Sequence, residues 1–353
     1  MIKVLVVEDS PVIRDWLVHI LQSDPELEVI GTASNGEHAL QAMQRLRPDV
    51  ITMDIHMPKM NGFEATRRIM ETHPTPIVIV SGTLDSQEVA TTFRAMEAGA
   101  LAVLSRPQGI GHPGHETTAK ELVQTVKLMS EVKVIRRWPR SAPRMASVSK
   151  LETMRTTADI RLVAIGTSTG GPMVLETLLS GLPKDFPTPV LIVQHMAPGF
   201  VHGFAEWLSQ SSGFPVQVAS DGEHLLPGHA YVAPDGAHMG AGPGDQVILS
   251  QEAPESGLRP AVSYLFRSVA KVYGRNAIGV LLTGMGKDGA EALKRMKETG
   301  AITIAQDEAS SVVHGMPGEA IKLDAATYVL PPERMPAVLT DLVVRGEQTY
   351  EDQ

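Results

Sequence analysis

The sequence predicts two α/β domains in tandem, each a parallel sheet with helices wound around it. Three observations predict this. The chain has 353 residues, more than one ordinary hydrophobic core accommodates, so about two domains are expected. Short β-branched runs alternate with amphipathic stretches over residues 1–130, and a second such series starts at Ile160. The segment between them carries neither pattern.

In the first series the expected strands are Lys3–Val7, Leu27–Gly31, Val50–Met53, Pro76–Val80 and Leu101–Leu104. Helical patterns fall near residues 11–23, 36–46, 62–72, 86–98 and 116–130. Strands and helices in alternation read as a doubly wound (βα)5 domain over residues 1–125. Residues 126–159 are expected to be a helix end followed by a linker. Their core, VKVIRRWPRSAPRMASVSK (132–150), has six basic residues, no acid and two prolines. That composition suits a solvated connection, or a dock for an acidic partner surface. In the second series the expected strands are Leu162–Ile165, Val190–Gln194, Ala230–Ala233, Ile278–Leu282 and Ile302–Ala305. A Gly- and turn-rich stretch near 229–250 reads as a β-hairpin within this domain, which spans 160–345, and residues 346–353 read as a polar tail.

Composition narrows the function. Hydrophobic residues make up 43% and charged residues 20%, the balance of a globular protein. No apolar run is long enough for a membrane span, and two acids within MIKVLVVEDS leave no signal-peptide core, so a cytoplasmic protein is expected. Without cysteine there is no disulfide, thiolate nucleophile or thiolate metal site. A net charge of −9, 4% aromatics and no recognisable helix-turn-helix segment disfavour a nucleic-acid-binding regulator.

Glu8 and Asp9 end the first expected strand and Asp54 the third. Neighbouring strands of a doubly wound sheet bring such ends together. Clustered carboxylates repel, and a hard divalent cation such as Mg²⁺ relieves them. A carboxylate held there can be phosphorylated as a nucleophile, and Ser81, ending the fourth strand, can hydrogen-bond a phosphoryl oxygen. Taken one by one, Asp9, Asp54 and Ser81 are also ordinary turn or cap residues. VLVVEDS, PDVITMDIHMP, NGFEA and PIVIVSG resemble the receiver domain of two-component response regulators. The resemblance implies Asp54 as phosphoacceptor, Mg²⁺ held by Glu8, Asp9, Asp54 and the His56 backbone carbonyl, and Ser81 as the switch hydroxyl. Arg106, in SRPQ, stands where receivers usually carry a phosphate-pairing lysine, and Val103 where an aromatic is frequent.

In the second domain the run RLVAIG leads into GTSTGGP and then a helical pattern, which satisfies G-x-S-x-G around Ser168. Small neighbours permit a tight strand-to-helix turn that exposes the hydroxyl, with N–H groups from Thr169 onward aimed at a developing oxyanion. Helix capping by Ser168 or Thr169 is the simpler alternative. Dinucleotide binding fits poorly, because Ser168 replaces the central glycine and no acid ends the next strand, VLIVQH. A serine nucleophile needs a base, and both His195 and His314 are candidates. Asp288 is the candidate third member, although its position also suits capping of the helix that follows; Asp235 and Asp221 are weaker competitors.

IGTSTGGP, VLIVQHM, YVAPDGAHM, LRPAVSYLFRSVA, GVLLTGMGKDGA and VVHGMPGEA resemble the catalytic domain of the chemotaxis response regulator protein-glutamate methylesterases, the CheB family. The resemblance covers residues 160–335, and the order receiver then esterase extends it to the whole chain. It implies Ser168 as nucleophile, His195 as general base and acid, Asp288 as its orienting partner, and backbone N–H groups of Thr169 and Met285 as the oxyanion hole. It leaves His314 without a role. It also implies glutamyl methyl esters of chemoreceptor helices as substrates, deamidation of certain glutamines, a chemotaxis histidine kinase as phosphodonor, and an unphosphorylated receiver that covers the esterase cleft. The rival class is a catalytically silent domain that only docks receptors.

Overall fold

The computed structural model describes residues 1–82, 93–132, 134 and 159–351, with backbone alone over 345–351. Most of the basic segment 132–150 and the first part of the helix expected at 86–98 lie outside the described residues; 93–97 are helical. The chain folds as two compact units, Met1–Ser149 and Lys150–Gln353.

The first unit is a five-stranded sheet in the order β2-β1-β3-β4-β5, parallel throughout. Its strands are β1 (Ile2–Val7), β2 (Leu27–Ala33), β3 (Val50–Met53), β4 (Ile77–Ser81) and β5 (Ala102–Ser105). Helices α1 (Pro11–Gln22), α2 (Gly36–Arg45), α3 (Gly62–Thr72) and α4 (His115–Ser130) connect and cover them. The sequence dictates where these helices start. Proline occupies the first position of α1, where its missing N–H costs nothing. Asn35 and Asn61 cap α2 and α3 by accepting from His38 N and Glu64 N, at 3.0 and 2.9 Å. β3 and β4 are buried along their whole length, as parallel strands covered on both faces must be.

The second unit holds a seven-stranded parallel sheet ordered β14-β13-β12-β6-β7-β9-β8. In chain order it comprises β6 (Leu162–Thr167), α5 (Gly171–Ser180), β7 (Val190–Gln194), α6 (Val201–Ser212), β8 (Val216–Val218) and β9 (Ala230–Val232). The hairpin β10 (His238–Gly242) and β11 (Gln246–Ser250) follows, then α7 (Val262–Val272), β12 (Ala277–Leu281) and α8 (Ala290–Glu298). The chain closes with β13 (Ile302–Gln306), α9 (Met316–Lys322), β14 (Tyr328–Leu330) and α10 (Met335–Glu351). From the central β6 the chain winds outward through β7 and β9, then returns to β12 on the other side of β6. This is a topological switch point, and ligands bind outside the carboxyl ends of strands at such a place. The core beneath it joins β6, β7 and β12 to α7 and α8 through Leu162, Leu191, Leu281, Phe266 and Leu293.

Both sheets agree with the expected fold class, and three details differ. The sheet has two further strands, β8 and β14, each three residues long at an edge and too short to show a period of two. The hairpin expected near 229–250 is present but shorter: Ala230–Val232 joins the main sheet, in line with the expected strand Ala230–Ala233, and β10 and β11 pair antiparallel around Gly244 and Asp245 at φ 77° and 57°. The expected polar tail is helical through Glu351, because α10 is anchored by buried Val338, Leu339, Leu342 and Val343 and continues past them. Among the described residues no helix is long and apolar enough to cross a membrane.

Candidate functional site

In the first unit, register brings the acids together. Val7 lies opposite Met53, so Glu8 and Asp54 leave the sheet side by side at its carboxyl edge. Glu8 and Asp54 are buried, Asp9 is half-buried, and their ligand oxygens lie within 4.8 Å of one another. The segment NGFEA makes this possible: a Cβ on Gly62 would lie 2.0 Å from the Asp54 carbonyl oxygen, so only glycine lets α3 start that close. Arg106 follows β5 and its Nη2 lies 3.1 Å from Asp54 Oδ1 and 3.1 Å from Glu8 Oε2. Gly82, directly after Ser81, makes room for this guanidinium, since a Cβ there would sit 2.7 Å from Nη1. Burial, helped by the Asp54 charge and opposed by Arg106, pushes the Glu8 carboxyl up to about 7. Burial likewise raises Asp54 above the usual carboxylate range, against the pull of Arg106. Beyond that ion pair, neither carboxylate oxygen of Asp54 accepts a hydrogen bond. An all-oxygen cluster with unsatisfied buried acceptors fits a hard divalent cation. Ser81 ends β4, buried, opposite Ser105; Val103 lies within β5 opposite Ile79; exposed His56 follows β3 in the loop that leads to α3.

In the second unit, register again sets the site. Gly166 lies opposite Leu281 and Thr167 opposite Gln194, so the loops that begin at Ser168, His195 and Leu282 emerge next to one another. Ser168 sits on a tight turn: its N–H donates to the Thr283 carbonyl at 3.0 Å and its carbonyl accepts from Gly171 N at 2.9 Å. Gly170 takes φ 80°, and a Cβ on Gly284 would lie 2.7 Å from Ser168 Cβ. The glycines around Ser168 are therefore demanded by backbone conformation and close approach.

His195 Nε2 lies 3.0 Å from Asp288 Oδ2. Opposite a carboxylate this nitrogen carries the proton, which leaves Nδ1 with a lone pair. The Asp288 carboxylate also accepts from Val262 N at 2.7 Å, Ser263 N at 3.0 Å and Ser263 Oγ at 2.5 Å. Burial acts to raise its pKa, but the His195, Ser263 and Val262 bonds outweigh it and hold the carboxyl down at about 2. The capping role expected for Asp288 is thus corrected. It caps the N-terminus of α7, not the helix that follows it; α8 is preceded by Gly289 at φ 85° with no side-chain cap.

Peptide planarity orients the amides beside Ser168. The Ser168 carbonyl accepts from Gly171 N and from Gln194 Nε2, both at 2.9 Å, so the trans peptide turns the Thr169 N–H to the opposite side. The Gly284 carbonyl accepts from Met316 N and Gly315 N at 2.9 and 3.2 Å, which turns the Met285 N–H away in the same manner. A serine on a tight turn, a histidine paired with a partly buried carboxylate and two constrained peptides form an arrangement that can support acyl transfer.

Comparison with known proteins agrees with that chemistry. Residues 163–339 match the family described as CheB methylesterase, and residues 4–112 match the response regulator receiver domain. The chain is 59% identical to the protein-glutamate methylesterase/protein-glutamine glutaminase of Nitrosospira multiformis over 351 residues, covering 98% of this chain and 99% of that one. The chain belongs to the CheB methylesterase family. A relative of the same name, numbered 4, in Geobacter metallireducens is 59% identical over 346 residues, again covering 98% and 99%. The solved Thermotoga maritima CheB methylesterase catalytic domain is 40% identical, with TM-score 0.51, over 52% of this chain and 99% of that chain.

Within this CheB methylesterase the rival residues have other partners. Asp235 accepts from Gly199 N at 2.7 Å and Asp221 from Leu249 N at 2.8 Å. His314 pairs with Gly284 as an isolated bridge, and its Nδ1 lies 3.3 Å from Ser311 Oγ. Two contributors, Ser263 and Gln194, are missing from the sequence-based site. Ser263 lies on α7, 25 residues before Asp288, and no local motif signals it. Gln194 had a signal, a polar residue ending an apolar strand just before a candidate base.

Proposed function

We propose that Ser168, His195 and Asp288 catalyse hydrolysis of glutamyl methyl esters, and deamidation of glutamines, on chemoreceptor cytoplasmic helices, under the control of Asp54. The observation that carries this reading is the partly buried His195–Asp288 hydrogen bond at 3.0 Å, on loops adjoining the Ser168 turn. Ser168 Oγ attacks the γ-carbonyl while its proton passes to His195 Nδ1. Asp288 stabilises the imidazolium, and the Thr169 and Met285 N–H groups receive the oxyanion. Collapse returns the proton to the leaving oxygen and releases methanol, or to the leaving nitrogen and releases ammonia. A glutamyl–serine ester remains. Water attacks it, loses a proton to His195, and leaves glutamate and a free Ser168.

In the receiver, Asp54 accepts a phosphoryl group: its carboxylate oxygen bonds to phosphorus as the bond to the donor breaks. The donor fitting a receiver is a chemotaxis histidine kinase. Mg²⁺ would be held by Glu8, Asp9, Asp54 and the His56 carbonyl, and when bound it neutralises charge on the phosphoryl oxygens. Arg106 pairs the same charge from the side, and Ser81 offers its hydroxyl. Substrate and kinase place the enzyme in the cytoplasm.

Methanol release from methylated receptor membranes tests the esterase reading. Ser168→Ala should abolish it, a loss of about 10⁶-fold in kcat by analogy with other serine nucleophiles. Turnover at the wild-type rate in this variant refutes the assignment and favours a docking module.

A further inference from the structure

We infer that Gln194 is a positioning residue of the esterase, holding an oxyanion amide and the base's backbone in register through its side chain. The inference rests on the reading of Ser168 and His195 given above. Gln194 is the last residue of β7 and is 5% exposed. Its Nε2 donates to the Ser168 carbonyl at 2.9 Å and to the His195 carbonyl at 2.7 Å. Both partners are carbonyl oxygens, so the amide nitrogen must be the end that faces them. One side chain thereby fixes the peptide planes following the nucleophile and the base.

The consequence for chemistry follows from planarity. The Ser168 carbonyl and the Thr169 N–H belong to one peptide, so a bond that pins the oxygen also aims the N–H. An oxyanion donor must be aimed before reaction, because reorganising it afterwards forfeits its advantage. Gly171 N alone would hold the Ser168 oxygen as a turn, leaving the plane free to rock. Gln194 is the second restraint, and it ties the plane to His195.

Two features argue that packing is not the reason for glutamine here. Its Oε1 is buried and accepts no hydrogen bond, an arrangement that is unfavourable for a polar atom withdrawn from water. A methionine of similar shape would fill the same space without that cost. The neighbourhood is also built to admit the amide: a Cβ on Gly171 would lie 2.2 Å from Gln194 Oε1. An orphaned acceptor kept in the core beside a nucleophile is what a functional constraint leaves behind.

The test measures methanol release by the full chain, with melting temperature, for wild type, Ser168→Ala and Gln194→Met. Gln194→Met should lower kcat about 10–100-fold, less than the loss of an oxyanion donor itself. KM should stay within about twofold, because substrate binding is not the term removed. Melting should move by no more than about 3 °C, since removal of an orphaned acceptor offsets the two lost bonds. Wild-type kcat in Gln194→Met, with Ser168→Ala inactive, overturns this inference alone. Activity in Ser168→Ala overturns the site reading beneath it. Should Gln194→Met melt much earlier, Gln194→Glu is measured instead: charged or protonated, it donates to at most one of the two carbonyls. Its kcat per folded molecule must then fall as well, and an undiminished value overturns the inference.

Discussion

Asp288 accepts from His195 Nε2, Val262 N, Ser263 N and Ser263 Oγ, and that saturation decides how it behaves. It stays ionised while His195 is neutral or charged, so it can orient the ring and stabilise the imidazolium without taking the proton. Asp288→Asn keeps the shape but favours the wrong tautomer. By analogy with other triads, kcat for methanol release should fall about 10³–10⁴-fold with a smaller change in KM. The same carboxyl predicts a pH effect on folding. Its folded pKa is lowered from 3.8 to about 2, so its stabilisation is present above pH 3.8 and is lost as pH falls through 2. The contribution is on the order of 2 kcal/mol. Acid unfolding followed by circular dichroism should therefore be shallower between those pH values in Asp288→Asn than in wild type. Equal slopes would mean that the shift contributes nothing.

At the scale of elements, the site depends on how closely α7 approaches β6. A Cβ on Gly166 would sit 2.1 Å from Val262 Cγ1, and Val262 N is one of the donors to Asp288. Gly166→Ala should push the start of α7 outward, destabilise the domain by about 1–3 kcal/mol and weaken the Asp288 bonds. Removing the clashing methyls as well, in Gly166→Ala with Val262→Ala, should recover part of both stability and activity. A double-mutant cycle in urea melts reads this coupling, and simple additivity would show that the helix does not transmit the clash. The loop 311–316 has a comparable role on the other flank. Val313, Gly315 and Met316 hold the Gly284 peptides that carry the Met285 amide. That gives the VVHGMP segment a structural purpose, although His314 itself has no catalytic partner among the described residues.

At the scale of the whole molecule, a phosphoryl group on one unit is proposed to govern catalysis in the other. A phosphorylated Asp54 changes the charge next to Arg106, Glu8 and Ser81, and it shifts activity only by favouring one conformational state over another. Asp54→Asn should leave unstimulated methanol release near the wild-type rate and remove stimulation by acetyl phosphate or a phosphorylated kinase. Persistent stimulation would place the control elsewhere. Arg106 bears on the same experiment. It pairs with both Glu8 and Asp54, so Arg106→Lys should alter the lifetime of the phosphorylated state, measured by loss of radiolabelled phosphate.

Much of this protein was legible in the sequence. Alternation of apolar runs and amphipathic stretches pointed to two wound sheets, because a strand buried on both faces must be apolar throughout. GTSTGGP and LLTGMGKDG marked the loops, since only glycine admits a φ of 80° at Gly170 or the close approach at Gly284. The acids of the receiver were readable for a similar reason: they stand at strand ends, where a doubly wound sheet collects its ligands. Tertiary structure decided what local pattern could not. Residue pattern alone left His195 and His314 both open and the family resemblance favoured His195; the fold sets Gln194 opposite Thr167 and the His195 ring against Asp288. Asp288 looked like the cap of its own helix and proved to cap α7 instead. Gln194 became informative only when its two carbonyl partners came from separate loops. Periodicity reports which face of an element is buried, whereas the partner of a buried polar atom depends on register and crossover, which are long-range properties of the folded chain.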